Sequence, residues 1–140
     1  MSPVILLALI AIAAPQEESD EPGLAPGAPI VYGGPAYQQA FDRAQRYEAD
    51  GRTNRYRDEV FGPALNRRMT DILRGCVGPT SGARWEPFIV VLSLDAEGAV
   101  DGVFAHQRTP QSQCMAEGLS RLNAPRPPVP DFAEEIRVQP

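Results

Sequence analysis

Lysine is absent from this 140-residue chain, and all 13 basic residues are arginine. A general bias toward arginine and alanine accounts for that better than a dedicated carboxylate-binding surface. Positive charge is scarce as well. The formal net charge is −5 and the sequence pI is about 4.8. A nucleic-acid duplex or an anionic membrane surface attracts the opposite sign, so nucleic acid is not an expected partner. Histidine occurs once, as His106, so any histidine-dependent catalysis would have to use it. No Gly-x-Ser-x-Gly elbow accompanies it, and spacing places no partner acid or thiol beside it. Cys76, His106 and Cys114 lack zinc-site spacing, and a structural zinc wants four ligands. The stretch "GPTSG" has neither the length nor the lysine of a phosphate-binding loop. Glu117, Glu134 and Glu135 would pair only through tertiary geometry. No catalytic residue, cofactor or metal site is therefore assigned.

A membrane-spanning run is also missing. The apolar stretch Val4 to Ala14 falls short of the roughly 20 residues needed to cross a bilayer. It fits the hydrophobic region of a signal peptide over residues 1–14, cleaved near Ala13 or Ala14, although no Arg or Lys precedes it. No cysteine follows to carry a lipid. The expectation is export, to the periplasm or beyond, with no stable membrane anchor left after cleavage. Cysteine occurs only twice, as Cys76 and Cys114. An even count in an exported chain reads as a disulfide. The bridge would close a 39-residue loop, and the chain-entropy model assigns such a loop roughly 4 kcal/mol. The other reading is a pair of buried free thiols.

Residues 15–35 hold five prolines, four glycines, four acids and no base, the composition of a disordered linker. Residues 36–62 read as an N-terminal helical extension. Tyr37, Ala40, Phe41, Ala44 and Tyr47 form its first apolar stripe, and Asp50-Gly51 its stop. Thr53 is expected to cap a second segment, which Gly62-Pro63 interrupts. From Pro63 a helix carries Leu65, Met69, Ile72, Leu73 and Cys76 on one face and Arg67, Arg68, Asp71 and Arg74 on the opposite, solvated one.

The best-defined stretch is "FIVVLSLDAEGAV", residues 88–100. Phe88, Val90, Leu92 and Leu94 alternate with Ile89, Val91 and Ser93, so both faces of this strand are apolar and it belongs in the middle of its sheet. Pro87 opens it, and Asp95-Ala96-Glu97-Gly98 is a hairpin turn with Gly98 at positive φ. The second strand, Ala99 to His106, contains Gly102, which marks a bulge or the close approach of something bulky. Ser112 is expected to cap a helix over Gln113–Asn123 with Met115, Leu119 and Leu122 inward. After "APRPPVP" a third strand runs from Glu135 through Ile136, Arg137 and Val138 to Gln139.

The ordered set "LNRRMTDILRGCV", "FIVVLSLDAEGAV", "SQCMAEGLSRL" and "APRPPVP" resembles the C-terminal domain of TonB and TolA, over residues 63–140. The resemblance implies an α+β fold: a three-stranded antiparallel sheet in α-β-β-α-β order, with helices packed on one face. Residues 36–62 would precede that domain as extra helices. It also implies a non-catalytic module that binds envelope proteins of the outer membrane or periplasm, with no cofactor. The short apolar run and short linker differ from the anchor and long proline-rich span of the energy-transducing members. A split βαβ arrangement puts strand three beside strand one and leaves strands two and three at the edges. Glu135, Ile136, Arg137, Val138 and Gln139 then form the expected partner-binding edge, pairing with an extended peptide. The alternative function is a small secreted hydrolase or enzyme inhibitor using His106.

Overall fold

The structure, a computed structural model, describes residues 27–78 and 84–139. The signal-peptide expectation for residues 1–14 and most of the linker expectation lie outside the described residues. Within them the elements run β1 (Ile30–Tyr32), α1 (Gly34–Glu48), α2 (Gly51–Tyr56), a π-helical turn (Arg57–Phe61), α3 (Gly62–Val77), β2 (Phe88–Leu94), β3 (Val100–Ala105), α4 (Pro110–Leu119) and β4 (Ala133–Val138). The class is α+β, built on one four-stranded mixed sheet in the order β1-β3-β2-β4.

This corrects the expected three-stranded antiparallel sheet. Ile30–Tyr32, placed by composition at the end of a linker, pairs in parallel with β3, Val31 opposite Phe104. Three apolar residues among prolines and glycines are too short a signal to stand out from their surroundings. Once β3 supplies the partner, backbone bonds from Val103 to Pro29 and from Gly33 to Ala105 fix the segment. The second strand of the hairpin is consequently interior, and among the described residues β1 and β4 form the edges.

The hairpin follows the expected chemistry. The Asp95 side chain accepts from the backbone N–H groups of Glu97 and Ala99, and Gly98 sits at φ +98°. The β2–β3 register shifts between Ser93, opposite Gly102, and Leu94, opposite Val100, so Asp101 is the extra residue of a bulge. The Phe104 ring lies close over Gly102. β2 is the central strand that its two-sided apolar pattern requires: Val90, Val91, Leu92 and Leu94 are all buried.

Helices cover both faces, not one. Val90, Leu92, Val103 and Ile136 face a core shared with Tyr56, Phe61, Met115, Leu119 and Phe132, where α3 and α4 pack. Val91 and Ala133 face Tyr37, Ala40 and Ala44 of α1. The stripe read in residues 37–47 is therefore the second cover of the sheet. An apolar strand buried on both sides demands such a cover.

The chain passes from one face to the other through α2, the π turn and α3, which form one continuous run. Asp50 caps α2 by accepting from Arg52 N–H, while Thr53 lies buried inside, its hydroxyl donating to the Tyr47 and Asp50 carbonyls. Gly62-Pro63 does not break the helix. Pro63 has no N–H to give, and the Gly62 N–H reaches back five residues to Arg57, so a π turn absorbs the missing bond. α4 begins earlier than expected: Thr109 is the cap and Ser112 its reciprocal partner in a capping box, with Pro110 in the first turn. It ends at Leu119, and a turn carries Leu122 into the core.

Candidate interaction edge and its surroundings

β4 runs antiparallel to β2, with Phe88 opposite Val138 and Val90 opposite Ile136. It lies outermost, beside the strand expected to be central. Its strand residues are Ala133–Val138, so Glu135, Ile136, Arg137 and Val138 fall within it and Gln139 just beyond.

Which backbone groups face outward follows from two bonds. The His106 N–H donates to the Ile89 carbonyl on the β3 side, and the Leu94 N–H donates to the Phe132 carbonyl on the β4 side. Backbone groups of successive strand residues alternate in direction. Phe88, Val90, Leu92 and Leu94 therefore point their backbone at β4, and Phe132, Glu134, Ile136 and Val138 answer them. Ala133, Glu135 and Arg137 turn their N–H and C=O groups to the free edge. The sequence pattern marked this stretch as an edge, but only the register decides which of its residues present open groups.

Side chains divide by face in the same way. On the α1 face, Glu135 accepts from Arg137 Nε at 2.6 Å and also from Gln45 of α1. The Arg137 side chain is 65% exposed and that of Glu135 only 8%. On the α3 face, Glu134 accepts from Arg57 Nε at 2.8 Å, and both side chains are largely buried. Burial pushes the Glu134 carboxyl above its ordinary value, against the opposing pull of the Arg57 hydrogen bond and charge. At the far end of β4, Leu73, Val77, Trp85, Val138 and Gln139 line an open, mainly apolar recess of about 290 Å³. Val77 is 56% exposed there. Nothing in the sequence pattern set Val77 or Trp85 apart.

Cys76, at the end of α3, and Cys114, in the first turns of α4, have sulfurs at disulfide distance and Cα atoms 5.7 Å apart. That separation lies within the span a disulfide bridges. Both helices lie on the same face of the sheet, which lets their ends meet.

His106 follows β3 and is exposed, with its ring 5.4 Å from that of Tyr37. It borders a recess of about 90 Å³ together with Glu86 and the buried Gln111. No group of three or more His, Cys, Asp or Glu side chains among the described residues is placed to hold a metal ion. No helix among them is long and apolar enough to cross a membrane. Glu117 lies on α4, while Glu134 and Glu135 lie on β4 with side chains on opposite faces, so the three acids form no common site.

No protein-family model, curated protein or solved structure matches this chain.

Proposed function

We propose that this chain is a non-catalytic protein–protein interaction module of the bacterial cell envelope, periplasmic or secreted, that binds envelope proteins by strand addition at β4. The observation that supports this best is the outer edge of β4, where the backbone groups of Glu135 and Arg137 have no neighbouring strand among the described residues. Such groups pair with an extended peptide, and flanking pockets for alternate side chains add specificity. The apolar recess beside Val138 is placed to receive one of them. β1, the opposite edge, has only three residues and offers a shorter template. The TonB/TolA resemblance of residues 63–140 and the signal-peptide reading of residues 1–14 support the envelope setting.

Hydrogen exchange on the chain bound to a captured envelope protein tests the mode of binding. The Glu135 and Arg137 amides should slow on binding, while the Ile136 amide, already turned toward β2, should change little. Protection elsewhere with no change at Glu135 and Arg137 would overturn the proposal.

A further inference from the structure

We infer that the strand which occupies the β4 edge in the isolated protein is β4 of a second copy of this chain, paired antiparallel about Ile136. The inference rests on the strand-addition reading and names a particular partner for that edge. Across an antiparallel pair, residues with outward backbone groups must stand opposite residues of the same kind, because only then do they exchange two hydrogen bonds. In β4 these are the odd-numbered positions Ala133, Glu135 and Arg137. Two copies can satisfy that rule about any interior position of β4: Glu134, Glu135, Ile136 or Arg137. Pairing about Glu134 or about Glu135 sets two carboxylates directly opposite each other, and pairing about Arg137 sets two guanidinium groups opposite each other. Like charges in that position are unfavourable.

Pairing about Ile136 instead sets Glu135 against the second copy's Arg137, and Arg137 against its Glu135. Two opposite-charge cross-strand pairs then lie on the α1 face, on each side of an Ile136–Ile136 contact on the α3 face. Arg137 bonds Glu135 of its own chain at 2.6 Å, and with its side chain 65% exposed it can exchange that partner for the second copy's Glu135. Glu134 stands opposite Val138 of the second copy and keeps Arg57, so the pairing strands no charge. Charges on an edge usually discourage self-association. Here the sequence Glu-Ile-Arg makes them self-complementary in one register. The two sheets would join into one across the two-fold axis, an isologous interface. The contact is short, so the dimer belongs among weak, concentration-dependent associations.

Analytical ultracentrifugation of the purified wild-type chain from about 1 µM to about 1 mM, a span set by weak-complex affinities, should show reversible dimerisation. The Arg137→Glu variant, its fold checked by circular dichroism, should stay monomeric over the same range, because the substitution sets a carboxylate against Glu135 of the other copy. Mixed one-to-one with the Glu135→Arg variant, it should form a heterodimer. Glu135 is nearly covered, so if Glu135→Arg fails to fold, a synthetic peptide of residues 133–139 with that substitution takes its place. Its binding to Arg137→Glu is read from Trp85, the single tryptophan, which lines the recess beside Val138. A wild-type monomer at the highest concentration would overturn self-pairing. So would a folded Arg137→Glu variant that dimerises like the wild type, or a mixture that does not associate. None of these results touches strand addition by a foreign protein, which exchange at Glu135 and Arg137 decides separately.

Discussion

Tyr56 joins the helical crossover to the loop before β4. Its ring packs edge-on against Phe132 at 5.1 Å, and its hydroxyl donates to the Pro125 carbonyl at 2.7 Å. Burial pushes its pKa up to about 12. Replacing Tyr56 with Phe keeps the ring and removes the bond, so denaturant unfolding should show a loss of about 1 kcal/mol. Glu134 gives a pH signature. Its folded carboxyl holds its proton to a higher pH than the ordinary carboxyl of the unfolded chain, because burial disfavours the charge. Between those two pKa values the folded state binds more protons, so this group's contribution to stability falls as pH rises and returns as pH drops. Denaturation midpoints measured across the acidic range for wild type and Glu134→Gln should differ by an amount that shifts against the wild type as pH rises. An unchanged profile would place the perturbation elsewhere. Gly98 is the most constrained position of the hairpin: at φ +98°, a Cβ there would collide with the Ala124 carbonyl oxygen. Gly98→Ala should destabilise by about 2–4 kcal/mol in the same assay.

At the scale of elements, the disulfide-distance pair holds the end of α3 to the start of α4. Thiol titration of the denatured, non-reduced chain should find no free cysteine. Replacing both Cys76 and Cys114 with Ser should lower stability by roughly 2–4 kcal/mol. The hairpin was readable because each signal agreed: Pro87 before the strand, alternation across it, Asp95 and Gly98 in the turn. α1 was readable as a stripe but not as a cover, because a stripe names an apolar face without naming what it packs against. The only hint lay in β2, whose second apolar face required one. β1 was not readable, since three residues carry too little periodicity and their partner β3 lies about 70 residues away. The unbroken helix through Gly62-Pro63 was hidden for another reason. Proline's missing N–H predicts a break, and the π turn that accommodates it depends on a run already held by Phe61 and Thr53 in the core.

At the scale of the whole molecule, Phe132 sits where the layers converge, with no exposed surface and ring contacts to Tyr47, Tyr56 and Phe61. Phe132→Ala should cost about 3–5 kcal/mol in denaturant unfolding, as a cavity at the junction of the crossover and the sheet. The candidate edge was half legible. Position and charge marked residues 135–139 as an edge strand, while the direction of each backbone group came only from the register. That difference decides which substitution tests the edge. Val138 turns its N–H toward Phe88, so a proline there breaks the β2–β4 ladder itself. Arg137 turns its N–H outward, where an edge strand tolerates proline. The most direct measurement is therefore capture of envelope proteins by Arg137→Pro, shown by circular dichroism to be folded, beside an Arg137→Ala control. Strand addition at β4 predicts that Arg137→Pro loses partners that Arg137→Ala retains. A folded Arg137→Pro that captures the same partners as the wild type would contradict it.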